Sequence, residues 1–124
     1  MTPNKKILIV EDEAQLLNLL YEKFTAAGYI VIKAMDGKDG LEKTLAERPD
    51  LIMLDINLPI MNGIEMLKRV RKDDQIKETE VMILTNYDDY HLVTDTLALG
   101  AHDYLIKSDW KFEDIIKMVD KKLR

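Results

Sequence analysis

The chain has 124 residues, a net charge of −5 and no cysteine. That length fits one domain, residues 1–124, burying roughly two-thirds of its unfolded surface. The missing cysteine excludes disulfides, thiolate catalysis and cysteine-ligated zinc, and the acidic balance argues against direct binding of nucleic acid. Apolar residues make up 47% and charged residues 33%, ordinary for a soluble globular protein. The first apolar run, residues 7–10, meets acid too soon for a signal peptide, and no later run is long enough to span a membrane.

KILIV (6–10) reads as a first strand. Leu17, Leu20, Phe24 and Ala27 then share one helix face, and Gly28 stands where that helix stops. YIVIKA (29–34) is a second strand, followed by a helix marked by Leu41 and Leu45 and closed by Pro49. LIMLD (51–55) is the third strand. Asn62 is the N-cap expected for a third helix carrying Ile64, Leu67 and Val70. VMILT (81–85) precedes a fourth helix, with Tyr90, Val93 and Leu97 on its apolar face and Gly100 at its end. DYLIK (103–107) precedes a fifth, N-capped by Asp109 and carrying Phe112, Ile115, Ile116, Val119 and Leu123.

The runs are rich in Ile, Val and Leu, as strands buried on both faces are. Alternation of β and α implies an α/β fold: a doubly wound, five-stranded parallel sheet between two helical layers, with right-handed crossovers. The expected strand order is 2-1-3-4-5.

In such sheets ligands bind beyond the carboxyl ends of the strands, near the switch in winding. Strand one ends in Glu11 and Asp12, strand three in Asp55 with Asn57 beyond, strand four in Thr85 and Asn86, strand five in Lys107 and Ser108. Taken singly, each has a bland reading. An Asp at a strand end is most often a cap or turn residue, and a Thr there is a β-former. Together they crowd three acids into one pocket. Two unit charges about 4 Å apart repel by roughly 4 kcal/mol at an effective dielectric near 20. A proton or a cation must relieve that, and an all-oxygen donor set favours Mg²⁺. A carboxylate beside a hard cation, a lysine and a hydroxyl suits an incoming phosphoryl group, with the carboxylate as nucleophile.

These residues resemble the receiver domain of two-component response regulators, the CheY-like superfamily. The resemblance covers essentially the whole chain and rests on five matches. They are Glu11-Asp12 in LIVEDE, Asp55 in LIMLDINLPIMNG, Pro59, Met61 and Gly63 in that same stretch, Thr85 in VMILTN, and Lys107 in DYLIK. It implies a flavodoxin-like sandwich in which Asp55 accepts a phosphoryl group from a sensor histidine kinase or a histidine phosphotransfer protein. Asp12, Asp55 and the backbone carbonyl of Asn57 would bind Mg²⁺, with Glu11 assisting through water. Lys107 would contact the phosphoryl group, and Thr85 would bond to it after transfer. Tyr104 holds the switch-aromatic position, and the output face would be helix four, strand five and helix five. The implied setting is the cytoplasm. The implied partners are the phosphodonor and a downstream protein or effector domain, with a phosphorylation-dependent dimer as a further arrangement. The resemblance implies a signalling phosphoacceptor, not a turnover enzyme.

Two departures stand out. Ser108 replaces the proline that usually follows the lysine, so a looser loop and a less firmly placed Lys107 are expected. Asn86 replaces a small residue and is expected to narrow access for donors. Asn57 and Tyr87 occupy positions that tune hydrolysis of the phosphoryl bond. A pseudo-receiver that signals without phosphorylation is the alternative that Ser108 and Asn86 keep open. A phosphatase is disfavoured because Asn57 stands where a general acid is wanted, and a flavin carrier because VEDEAQ is acidic. The methionines read as core filling, Trp110 as packing over the loop, and Asp88-Asp89 as charge at a helix start. The chain ends after the fifth helix, which fits either a stand-alone receiver or a piece of a longer protein.

Overall fold

The computed structural model describes residues 4–108 and 110–123 and, of Tyr87 and Tyr90, the backbone alone. The expected cap at Asp109, the side chain at the hydrolysis-tuning position Tyr87 and the apolar contact of Tyr90 lie outside the described residues. In chain order the elements are β1 (Lys6–Val10), α1 (Ala14–Ala26), β2 (Ile30–Ala34), α2 (Gly37–Glu47), β3 (Leu51–Asp55) and α3 (Gly63–Lys72). Then come β4 (Glu80–Thr85), a 3-10 segment (Tyr87–Leu92), α4 (Val93–Leu97), β5 (Asp103–Ile106) and α5 (Phe112–Leu123). The sheet is parallel throughout and ordered β2-β1-β3-β4-β5. This is the expected winding.

The period-two alternation of β1 divides the interior into two cores. Ile7 and Ile9 pack with Leu17, Leu20 and Phe24 of α1 and with Ile115, Val119 and Leu123 of α5. Leu8 and Val10 pack with Met66, Leu67 and Val70 of α3 on the other face. All five residues of β3 are buried. Each aliphatic side chain taken fully out of water there contributes about 1.5–3 kcal/mol.

Burial on both faces holds for β1 and β3 but not for the outer strands. β2 and β5 are the sheet edges, and Ile30 on β2 is 45% exposed. The fourth helix is also shorter than expected. Its first turns form the 3-10 segment, and only Val93–Leu97 is α-helical, with Leu97 exposed. Asp88 and Asp89 are both poor interior helix residues, which favours this tighter start. Among the methionines, Met53, Met66 and Met82 are core, whereas Met35 and Met118 are exposed. Trp110 packs edge-on against Phe112 and on the α1/α5 core.

Expected helix ends are present at α1, α2 and α3. Asn62 Oδ1 accepts the Glu65 N–H at 2.9 Å, and Gly28 sits just past α1 at φ 101. At α2 the C-cap is Arg48, left-handed at φ 48 immediately before Pro49. Asp36 is a second N-cap, its Oδ1 accepting the Asp39 N–H at 2.7 Å.

Candidate functional site

Register places the site. Val10 pairs with Leu54, Asp55 with Leu84 and Thr85 with Ile106. The residues that follow β1 and end β3 and β4 therefore reach one level, and Lys107 follows β5 to it. The backbone N–H of Lys107 donates to Thr85 O at 2.8 Å, continuing the ladder one residue past the strand.

The Lys107 side chain is 8% exposed and its ammonium sits among carboxylates. Nζ is 2.6 Å from Glu11 Oε1, 2.9 Å from Asp55 Oδ2 and 3.4 Å from Glu13 Oε1. Burial alone would lower the Lys107 pKa. The bonds to Glu11 and Asp55 outweigh it and raise the pKa well above the usual lysine range. Glu11 is fully buried. Desolvation pushes its carboxyl up to about 7, Lys107 opposes the rise, and the Asp55 charge adds to it. Ser108 therefore does not loosen Lys107 as expected. A strand-like backbone bond and two buried acids hold it, and the described residues contain no cis peptide bond.

Asp55 is 2% exposed. Its Oδ1 accepts the backbone N–H of Asn57 at 3.2 Å. The turn after it needs Gly63, because a Cβ there would lie 2.1 Å from Asp55 O. Gly63 thus serves close approach, while the left-handed residue of this loop is Ile60, at φ 68 and 79% exposed. Thr85 is buried and its Oγ1 donates to Asn86 O at 3.1 Å. Tyr104, half-buried, packs on the core shared with α3 and pairs in register with Ile83.

Oxygens of Glu11, Asp12 and Asp55 lie within 4.8 Å of one another. Glu11 Oε1 is buried without a hydrogen bond of good geometry, although the ammonium is near. An all-oxygen cluster carrying such an atom, with Asp12 open to solvent, fits a hard divalent cation that keeps part of its water.

A family model described as the response regulator receiver domain matches residues 7–120. The chain belongs to that family. This receiver is 41% identical over 104 residues to the alkaline phosphatase synthesis transcriptional regulatory protein PhoP of Bacillus subtilis, covering 84% of this chain and 42% of PhoP. It is 38% identical over 104 residues to sporulation initiation phosphotransferase F of the same organism, covering 84% of this chain and 82% of that one. The solved chemotaxis response regulator CheY4 of Vibrio cholerae aligns with a TM-score of 0.86 at 31% identity, covering 95% of this chain and 98% of CheY4. The receiver thus spans less than half the length of PhoP and most of phosphotransferase F.

The sequence brought Glu11, Asp12, Asp55, Thr85 and Lys107 to one end of the sheet, and all five lie there. It missed Glu13, whose only signal is being the third acid of VEDE. It also missed a contact across the mouth of the site. Asn57 Nδ2 donates to Asp89 Oδ2, and Asn86 Nδ2 reaches the same oxygen at 3.5 Å.

Proposed function

We propose that this receiver takes a phosphoryl group onto Asp55 from the phosphohistidine of a sensor histidine kinase or a histidine phosphotransfer protein, in an Mg²⁺-dependent transfer. An Asp55 carboxylate oxygen attacks phosphorus, the P–N bond to the donor histidine breaks, and the product is an aspartyl phosphate. The observation that carries this reading is the buried ammonium of Lys107, 2.9 Å from Asp55 Oδ2. A cation at that place is positioned to follow the phosphoryl oxygens as negative charge arrives.

Asp12, Asp55 and the backbone carbonyl of Asn57 would hold Mg²⁺, with Glu11 acting through water. The ion supplies positive charge for the phosphoryl oxygens and the acidic cluster. Lys107 neutralises and orients, and the Asn57 N–H holds the second Asp55 oxygen. Thr85, at the same end of the sheet as Asp55 and now bonded to Asn86 O, would exchange that bond for one to the phosphoryl group. Tyr104 then repacks, and the face of α4, β5 and α5 changes for its partner, a downstream protein, an effector domain or a second copy. The name of phosphotransferase F, matched over most of its length, supports a place in a relay. The setting is the cytoplasm; no helix among the described residues is long and apolar enough to cross a membrane. The domain acts as a switch and not as a turnover enzyme.

The test is intact mass after incubation with acetyl phosphate and Mg²⁺. A base-labile phosphoryl adduct is expected on the parent, and none on Asp55→Asn or in a chelated sample. No adduct, together with no Mg²⁺-dependent binding of beryllofluoride, would defeat the reading.

A further inference from the structure

The contact that the sequence did not announce joins the two loops flanking Asp55. Asn57 lies two residues after β3, and its backbone N–H already bonds to Asp55 Oδ1. Its carboxamide turns away from the acid and donates to Asp89 Oδ2 in the 3-10 segment. Asn86, one residue after Thr85, reaches the same Asp89 oxygen. One carboxylate thereby gathers an amide from each side of the mouth.

We propose that Asp89 is a positioning residue that lengthens the life of the phosphoryl group on Asp55 by clasping Asn57 and Asn86 across the mouth of the site. The proposal rests on Asp55 being the phosphoacceptor. Hydrolysis of an aspartyl phosphate needs water in line with the bond that breaks. Water oxygen attacks phosphorus, the bond from phosphorus to the Asp55 oxygen breaks with its electron pair left on that oxygen, one water proton passes to bulk solvent and the other stays on the phosphate, and carboxylate and hydrogen phosphate remain. Asp55 enters from the buried end of β3, so the attacking water must come from the open side, where the two loops face each other. Side-chain amides there are the natural groups to orient it. An N–H committed to Asp89 does not serve that water, the carboxamide is held in the orientation Asp89 imposes, and the bridged loops narrow the approach. Asp89 does this through a hydrogen-bond acceptor, not through its charge.

That distinction makes the idea testable. The parent and the Asp89→Ala, Asp89→Asn, Asn57→Ala and double Asn57→Ala/Asp89→Ala variants would be phosphorylated with acetyl phosphate and Mg²⁺. After donor removal, loss of the adduct would be followed by mass, alongside the rate of its formation and urea denaturation. Asp89→Ala should shorten the lifetime about threefold, which corresponds to about 0.65 kcal/mol of barrier. Asp89→Asn keeps an acceptor oxygen and should stay near the parent. In the Asn57→Ala background, Asp89→Ala should change the lifetime by less than it does in the parent, because the pair acts as a unit. A general structural role would move the denaturation midpoint instead and would not be rescued by asparagine. An unchanged lifetime in Asp89→Ala, or equal shortening in Asp89→Asn, would overturn the clasp while leaving Asp55 as acceptor. A parent that takes no phosphoryl group would overturn the reading of Asp55 and the clasp with it.

Discussion

Lys107 Nζ lies 2.6 Å from Glu11 Oε1, and both side chains are withdrawn from water, at 8% and 0% exposure. This pair, more than Asp55 by itself, makes the end of the sheet tolerable as a folded structure. A carboxylate with no counter-charge at that depth would take up a proton instead of remaining ionised.

Removing the cation tests that dependence. Lys107→Met keeps the bulk and deletes the charge, leaving Glu11 and Asp55 facing each other. Breaking a buried pair by taking one partner costs about 3 kcal/mol or more. We expect a loss of that order in urea denaturation at pH 8 with chelator present. The loss should be smaller at pH 5, where Glu11 is protonated. An equal loss at both values would mean that Glu11 carries no charge in the parent.

Glu11 also sets a pH dependence. Its carboxyl is pushed up to about 7 from 4.5, first by burial and then by the Asp55 charge, against the pull of Lys107. Between those values the folded state holds the proton more tightly than the unfolded chain does. Stability therefore falls as pH rises through that window, by up to about 1.36 kcal/mol per unit, and levels off above it. Metal-free protein should show this decline between pH 5 and pH 7, and Glu11→Gln should flatten it. A rise in stability over the same window in the parent would reverse the assignment.

Gly63 tests how the loop after β3 holds the acid in place. A Cβ there would meet Asp55 O at 2.1 Å and Ile56 Cα at 2.9 Å, both backbone atoms that cannot swing aside. Gly63→Ala should destabilise by about 1–3 kcal/mol, as overpacking does. It should also weaken Mg²⁺ binding, because relief requires Asp55 to move. Gly28→Ala, at φ 101 past α1, should cost about 1 kcal/mol through backbone strain and leave Mg²⁺ binding unchanged. Calorimetric titration of the two variants separates the cases.

Much of this was legible in the sequence because period and punctuation agreed. The apolar runs predicted strands covered by helices on both faces, and Asn62 and Gly28 marked helix ends that the structure has. The strand-end residues were legible because a parallel sheet puts every carboxyl end on one side. What escaped was whatever depends on tertiary distance. Ile30 looks as buried as Ile52 within its apolar run; the expected strand order already made β2 an edge, but only the packed structure shows how far Ile30 is exposed. The Glu11–Lys107 pair joins residues far apart in the chain, and its firmness despite Ser108 comes from the Thr85–Lys107 ladder bond, which has no local signal. Asp89 read as charge at a helix start because nothing in the chain shows Asn57 reaching it.

Thr85 gives the last prediction. Its hydroxyl is already bonded to Asn86 O at 3.1 Å, so a bond to a phosphoryl oxygen is made by exchange. A hydrogen bond to a charged group contributes roughly 1.5–3 kcal/mol and a neutral one about 0.5–1.5, which leaves a net of about 1–2 kcal/mol. Shifting a two-state equilibrium from 1:99 to 99:1 takes about 5.5 kcal/mol. On the proposed mechanism Thr85 would therefore supply a minority of the switching free energy, and Lys107 and the repacking of Tyr104 would supply the rest. We expect Thr85→Ala to take a phosphoryl group on Asp55 and to respond only in part. In amide NMR with beryllofluoride and Mg²⁺, the Ala101 and Leu105 signals should travel along the parent's line and stop short of its end point. Tyr104→Ala should form the adduct equally well and disturb those signals more. Signals in Thr85→Ala that stay at the apo position would place the whole switch on that hydroxyl, which the exchange arithmetic does not allow.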